Sequence, residues 1–433
     1  MRYDHGGGAS HDTGVSHADA GAPARHERAA ALIEGARREL SNRNIATAEA
    51  LCRQVLDDGE ESPGCWNMIG VIAAEIGLFD HAARAFRRAL EIDPAFDKAR
   101  GNLKQIEAAT PPPRRPAGQP GFLVIKAWGQ GFWSDVDHVL GQLLVAEVTG
   151  RTPIVHWGNN SRFRGVDTEE AFRLYFEPVS PCQLTDLHDR PDEAFWPPKW
   201  SARNLDAGAH QQTDGPWSRL SALRSLARPE EIVVSDFYTG ISTLAAWMPS
   251  DHPLSKMTLP ALYRYLCSKY LHPVRDIQAR VDDLFAAMFK GERVLAVHAR
   301  GTDKIDENPD LGALNRQLLH EAQTWADKAA ASRVFLLSDS SALVTAFRNV
   351  FGRHLITLDV QRSDSGQSLH FQARNGHALG LEVMTDTYLA ARADWFLGNG
   401  DSNVSAMVEH FRDWPEGRFR LLRPSVHYRR QLV

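Results

Sequence analysis

Two patterns of hydrophobic residues alternate along residues 121–433. Short apolar runs, such as 294–297 and 334–337, are separated by longer stretches in which apolar side chains recur every three or four residues. The short runs predict buried parallel strands and the longer stretches predict amphipathic helices. We therefore predict an α/β fold of two Rossmann-like lobes, residues 121–290 and 291–433, with the helical stretch 261–290 between the two strand-rich regions.

The residues before this region carry a purely helical pattern. Counted from Pro63, the residues Trp66, Gly70, Ala82 and Phe86 occupy the bulky and small positions of a tetratricopeptide repeat of ~34 residues, and Pro94 ends its second helix. A weaker match precedes this repeat, and a polar helix follows it. We predict a small all-α tetratricopeptide array over 25–109, which serves docking to a protein partner or self-association, or alternatively forms a peptide-binding groove.

Composition sets the boundaries of these units and excludes several classes of protein. Residues 1–24 are polar and small, which predicts a disordered tail, and the proline-rich stretch 110–120 predicts a stiff linker. The net charge of −5 gives no basic field for nucleic acid. Four cysteines without a CxxC pair argue against a zinc knuckle or a disulfide scaffold. With no membrane span and no secretory signal recognised, we expect a cytoplasmic protein.

The strongest chemical motif follows the strand 294–297. Imidazole, guanidinium, hydroxyl, carboxylate and ammonium groups occur there within seven residues: His298, Arg300, Thr302, Asp303 and Lys304. In open α/β sheets, ligands bind beyond the carboxyl ends of the strands. An arginine at that edge can hold a diphosphate through two parallel hydrogen bonds. The alternative is a surface loop whose charged residues pair with one another.

This second lobe resembles the α-1,6-fucosyltransferase family, which includes the nodulation fucosyltransferases. The family motif His-x-Arg-Arg-Thr-Asp-Lys stands here as 298–304, with Gly301 in place of the second arginine. The next predicted strand ends in Asp339 and its flanking serines. Further on, Arg374 precedes Asp386 by twelve residues, as in the family, and Ser402 stands near the start of the last predicted helix.

The resemblance implies a GT-B glycosyltransferase that transfers a sugar to a glycan or protein acceptor, with fucose from GDP-fucose as the first candidate donor. It places His298 and Asp386 at the guanine, Arg300 at the β-phosphate, and Ser402 beside the diphosphate at a helix start. The remaining nucleotide-sugar residues would be Thr302, Asp303, Asp339 and Arg374. No metal or other cofactor is expected, because Arg300 and the helix start supply positive potential.

The position of the family's catalytic glutamate is Asn308 in this chain, and an amide cannot accept a proton at neutral pH. The adjacent Glu307 and Asp306 are the candidate bases, with Lys304 to orient whichever carboxylate serves. Together with Arg300, they form the predicted catalytic set. The alternative function is a tetratricopeptide adaptor whose GT-B domain binds a nucleotide or sugar without catalysis.

Two weaker signals remain open. Asp135 and Asp137 form a DxD sequence that would suit a metal, or they simply complement a helix dipole. Seven of the eleven tryptophans lie between Trp128 and Trp247, which suits either stacking on sugar rings or ordinary core packing.

Overall fold

The computed structural model describes residues 22–112, 115–116, 118–165, 170–206, 222–301, 310–363 and 375–428. Five helices come first and pack in chain order: α1 (Ala22–Ser41), α2 (Ile45–Asp57), α3 (Pro63–Glu75), α4 (Phe79–Ile92) and α5 (Asp97–Ala108). The α3–α4 contact is close because Gly70 has no side chain, and a Cβ there would lie 2.4 Å from the ring of Phe86. The predicted helical array is confirmed, whereas its membership of the tetratricopeptide family stays a prediction.

The helical array packs against the first lobe around one indole. Trp247 is buried, with the Arg53 guanidinium 5.5 Å from its ring centroid and the His81 ring at 6.0 Å. An ion pair between Glu75 and Arg224 joins α3 to the same lobe. Cation–π and ring contacts of this kind hold the array to the lobe in addition to apolar burial.

The first lobe is a parallel sheet of four strands in the order β2-β1-β4-β3. The strands are β1 (Phe122–Lys126), β2 (Thr152–His156), β3 (Phe195–Trp196) and β4 (Ile232–Ser235), and the helices are α6 (Phe132–Thr149), α7 (Ile241–Leu244), α8 (Leu259–Tyr270) and α9 (Arg275–Met288). The β1–α6–β2 unit follows the predicted pattern. The α6 helix lies against the chain after β4 because Gly141 leaves room for the Thr239 carbonyl oxygen, which would be 2.1 Å from a Cβ.

The second lobe is a parallel sheet of five strands in the order β7-β6-β5-β8-β9. Its strands are β5 (Val294–His298), β6 (Arg333–Leu337), β7 (Leu355–Ile356), β8 (Trp395–Gly398) and β9 (Phe419–Leu421), and its helices are α10 (Leu311–Ala329), α11 (Ser341–Phe351), α12 (Gly376–Ala390) and α13 (Asn403–His410). The predicted pair of α/β lobes behind a helical array is confirmed.

The two lobes share buried contacts. The Trp133 Nε1–H on α6 donates to Thr387 Oγ1 on α12 at 2.8 Å, and both side chains are buried. Within the described part of the chain, no helix combines the length and apolar character needed to cross a bilayer.

Candidate functional site

The topology of the second sheet creates a crevice at the carboxyl ends of β5 and β8. The chain runs from β5 outward through β6 to β7, and then returns to place β8 on the other side of β5. The connections from the two central strands therefore leave in opposite directions, which opens the crevice where doubly wound sheets bind ligands. His298 and Gly398 are the paired last residues of these two strands.

His298 is a neutral, fixed side chain at this crevice. It is 4% exposed, and its Nδ1 lies 2.7 Å from Ser405 Oγ on α13. Burial, followed by the nearby Arg300 charge, lowers the pKa of His298 to about 4. The imidazole therefore offers hydrogen bonds rather than charge at neutral pH. Gly398 permits this contact, because a Cβ there would lie 2.5 Å from Ser405 Oγ.

Arg300 is oriented by a carboxylate from the next strand connection. Its Nη1 lies 2.8 Å from Asp339 Oδ2, and the Gly301 N–H donates to Asp339 Oδ1 at 2.9 Å. Asn315 on α10 donates its side-chain N–H to the Arg300 carbonyl oxygen at 2.7 Å. The Arg300 side chain is 20% exposed. The guanidinium is thus held in a defined position and remains accessible to a ligand.

The structure explains why a glycine, Gly301, stands where the fucosyltransferase motif has its second arginine. A Cβ on Gly301 would lie 2.5 Å from Ser340 Cβ and 2.8 Å from Leu343 Cδ1. Carbon atoms at such distances repel strongly, since their optimum separation is ~3.5–4.0 Å. The turn after β5 rests directly on the start of α11, and no side chain fits between them.

Ser402 caps α13 at the same edge of the sheet. It is buried, and its Oγ accepts the Val404 N–H at 3.4 Å. The remaining N–H groups of the first helical turn, together with the helix dipole, favour an anion at this end. His298, Arg300, Asp339 and Ser402 are therefore placed along one edge by three neighbouring strands.

Asp386 lies on α12 in a different electrostatic setting. Its Oδ1 is buried and has no hydrogen-bond partner among the described residues. Burial raises the pKa of this carboxyl to about 7, while Arg362 and Arg280 oppose the rise and Glu382 adds to it. Among the described residues, the charges that act on Asp386 are those of Arg362, Arg280 and Glu382, and neither His298 nor Arg300 is one of them. Its predicted place at the guanine stays a prediction.

The other predicted site residues lie outside the described residues: Thr302, Asp303, Lys304, Asp306, Glu307 and Arg374. Asn308 lies outside them as well. The predicted base and its orienting lysine therefore stay predictions.

The DxD aspartates have structural partners in the first lobe. Asp137 accepts hydrogen bonds from the Tyr238 and Tyr263 hydroxyl groups, and Asp135 accepts one from the Gln130 N–H at 3.0 Å. Burial raises the pKa of Asp135 to about 7. In the part of the chain that the structure describes, no three His, Cys, Asp or Glu side chains gather as metal ligands.

The tryptophans of the first lobe belong mostly to its core. Five of the seven are buried: Trp133, Trp157, Trp196, Trp200 and Trp247. Trp217 lies outside the described residues, and Trp128 is partly exposed after β1. Ordinary packing therefore accounts for most of this enrichment, and the sugar-stacking interpretation is wrong for those five.

Two residues of the site escaped the sequence analysis, namely Ser405 and Asn315. Ser405 is 107 residues from His298 in the chain, and Asn315 is 15 residues from Arg300. Asn315 lies on α10, which packs beside β5 and also carries polar residues on its exposed face, and Ser405 lies on α13, which packs against α6 and α12. Nothing in the local pattern distinguishes them before the packing is known.

Comparisons with known proteins return similar solved structures. No family model matches the chain, and no curated protein matches it. The chain is similar to NodZ α-1,6-fucosyltransferase co-crystallised with GDP, with 19% sequence identity, 67% of this chain and 92% of that chain covered, and a TM-score of 0.43. It is also similar to POFUT1 in complex with GDP-fucose, with 15% identity, 71% and 98% covered, and a TM-score of 0.44.

Proposed function

We propose that this protein is a glycosyltransferase that transfers fucose from GDP-fucose to a glycan or protein acceptor. The observation that carries the proposal is the Arg300–Asp339 pair at the switch point of the second sheet, beside the start of α13. The motif around it, residues 298–304, supports the choice of a GDP-sugar.

The chemistry required of the site is stabilisation of a departing diphosphate. As the bond between the sugar and the β-phosphate oxygen breaks, negative charge grows on the diphosphate. Arg300 can meet this charge with guanidinium N–H groups that Asp339 and the β5 turn already orient. Donors fixed before the reaction act strongly, because no reorganisation is needed as the charge develops.

The acceptor hydroxyl must lose a proton as the new bond forms. We propose Glu307 as the base and Asp306 as the second candidate, since Asn308 occupies the family's position. If Glu307 serves, Glu307→Ala will abolish transfer to the acceptor while GDP affinity stays at the wild-type level. Asp306→Ala is the matched control. Normal transfer by both variants would require a base from elsewhere.

A ligand screen followed by a turnover assay tests the proposal. GDP and GDP-fucose should raise the melting temperature, whereas UDP-GlcNAc should not. A ligand at a hundred times its Kd stabilises the folded state by about 2.7 kcal/mol, which is readily measured. Release of fucose from GDP-fucose, lowered ~10²–10³-fold in Arg300→Ala, would then identify the reaction. Equal shifts with all three nucleotides, or none, would contradict the GDP-sugar assignment.

A second candidate function is an adaptor with a catalytically silent nucleotide- or sugar-binding domain. Asn308 at the base position favours it, and the helical array packed on the first lobe offers a surface for a protein partner. Binding of GDP-fucose without turnover on any acceptor would support this candidate. Transfer to any acceptor would exclude it.

A further inference from the structure

Residues 422–428 run along the turn that joins β8 to α13. The Leu422 N–H donates to the Gly398 carbonyl oxygen at 2.9 Å, and the Val426 N–H donates to the Gly400 carbonyl oxygen at 2.8 Å. Gly400 has a φ of 83°, and a Cβ there would lie 2.0 Å from the Arg423 carbonyl oxygen. The two backbones are therefore in direct contact, and this turn forms one wall of the crevice.

His427 in this segment bonds to the first residue of α13. Its Nε2 lies 3.0 Å from Asn403 Oδ1, and its Nδ1 lies 3.0 Å from His410 Nε2. Burial lowers the pKa of both histidines, so both rings are neutral at pH 7. With the Asn403 oxygen facing the ring, His427 Nε2–H is the donor, and His427 Nδ1 must then accept from His410 Nε2–H.

Groups from the first lobe hold the His427 ring in place. The Tyr263 ring on α8 stacks on His410 at 4.1 Å and on His427 at 4.9 Å between centroids. The Tyr263 hydroxyl in turn donates to Asp137 Oδ1 at 2.9 Å. Asp137 Oδ1 also lies 3.9 Å from His427 Nε2. The ring that contacts Asn403 is thus positioned by α6 and α8 as well as by its own segment.

We propose that His427 is a positioning residue for the nucleotide-sugar site, acting through Asn403 on the start of α13. Asn403 directly follows Ser402, so the bond from His427 fixes the helical turn whose N–H groups face the crevice. A shift of ~1 Å in such groups can change a rate by ~10²-fold. This proposal rests on the proposed function, because it takes the ligand at the start of α13 to be the diphosphate of a GDP-sugar.

Two substitutions at one position separate the hydrogen bond from the ring. His427→Phe keeps an aromatic ring against Tyr263 and removes both ring nitrogens. His427→Gln places an amide N–H at about the reach of Nε2 and removes the ring. Both variants will lose stability, the first through unpaired polar groups and the second through lost stacking. GDP affinity, measured by calorimetry, is expected to fall about tenfold in His427→Phe and to stay within twofold of wild type in His427→Gln.

Tyr238→Phe is the matched control, since it loses a buried bond to Asp137 and leaves the stacked rings of Tyr263, His410 and His427 in place. It should lower the melting temperature without changing GDP affinity. If GDP affinity follows the melting temperature across all three variants, His427 has only a structural role and the proposal is overturned.

Amide hydrogen exchange provides a readout that needs no nucleotide. Exchange at residues 404–406 is expected to be about tenfold faster in His427→Phe than in His427→Gln. Equal exchange in the two variants would overturn the proposal, whether or not GDP binds. Faster exchange in His427→Phe with no GDP binding by the wild-type protein would instead retain the role of His427 in placing α13 and refute the proposed donor.

Discussion

Substitution of Gly301 by alanine tests whether the turn after β5 rests on α11 as closely as the structure indicates. The added Cβ would lie 2.5 Å from Ser340 Cβ. To reach a normal carbon–carbon separation, the two backbones must move apart by ~1 Å. Overpacking of this kind costs ~1–3 kcal/mol. We expect Gly301→Ala to lower the free energy of unfolding by that amount.

The same movement should reach the functional site. The Gly301 N–H donates to Asp339, which also pairs with Arg300. Displacing the turn therefore weakens the orientation of the guanidinium, and the affinity for GDP should fall with the stability. Gly301→Arg, which restores the family motif, should lose stability as well, because its Cβ meets the same atoms.

A double-mutant cycle gives the decisive measurement. Ser340→Gly removes the nearest clashing atoms. Ser340 is the N-cap of α11, and because glycine is tolerated at N-caps, this change alone should lower the free energy of unfolding by only about a few tenths of a kcal/mol. The double variant should recover most of the loss, giving a favourable coupling of ~1–2 kcal/mol by urea unfolding. Additive effects, or a Gly301→Ala protein within ~0.5 kcal/mol of wild type, would refute the close contact.

Three further predictions concern the candidate site. Arg300→Ala should lower turnover by ~10²–10³ in a donor-hydrolysis assay, and Arg300→Lys should restore little of it, because an ammonium cannot form two parallel bonds; wild-type turnover in Arg300→Ala would exclude the proposed role. Asp386→Asn should weaken GDP by ~1–3 kcal/mol relative to ADP and UDP in competition binding, since an amide pairs with only one of the two adjacent guanine donors; an equal loss for all three nucleotides would make Asp386 structural. Because the pKa of His298 is lowered to about 4 in the folded protein against about 6.5 unfolded, only the unfolded state takes up this proton as the pH falls through that interval. Stability should therefore drop between pH 6.5 and 4 by more in wild type than in His298→Gln, as followed by thermal unfolding, and identical pH profiles would place the imidazole in a more polar setting.

The architecture was predictable from the sequence because its strands are short, fully apolar runs. Residues 294–297 and 334–337 both form strands of the second sheet, as predicted. The strands that escaped prediction are Phe195–Trp196, Ile232–Ser235 and Phe419–Leu421. They are two to four residues long, which is too short for a hydrophobic period to be recognised, and Arg420 interrupts the last one. Their place in the two sheets depends on the pairing of strands, which no local period encodes.

The site was only partly predictable for the same reason. His298 and Arg300 stand out because charged and polar groups follow an apolar strand. Asp339 was found through the resemblance, whereas its bond to Arg300 depends on the pairing of β5 with β6. In the sequence, Gly301 is noticeable only because it stands in place of the motif's second arginine, whereas the structure shows that it is a point of contact with α11.

The pairing of Arg300 with Asp339 has a consequence for how the crevice selects among anions. The guanidinium is already matched by a carboxylate, so this pair adds little net field to attract small ions from solution. A ligand gains most if it offers several acceptors at once to the guanidinium and to the start of α13. At this pair, inorganic phosphate would then compete poorly with a diphosphate. The contribution of Arg300 to selection would come from the arrangement of hydrogen-bond donors and much less from long-range electrostatic attraction.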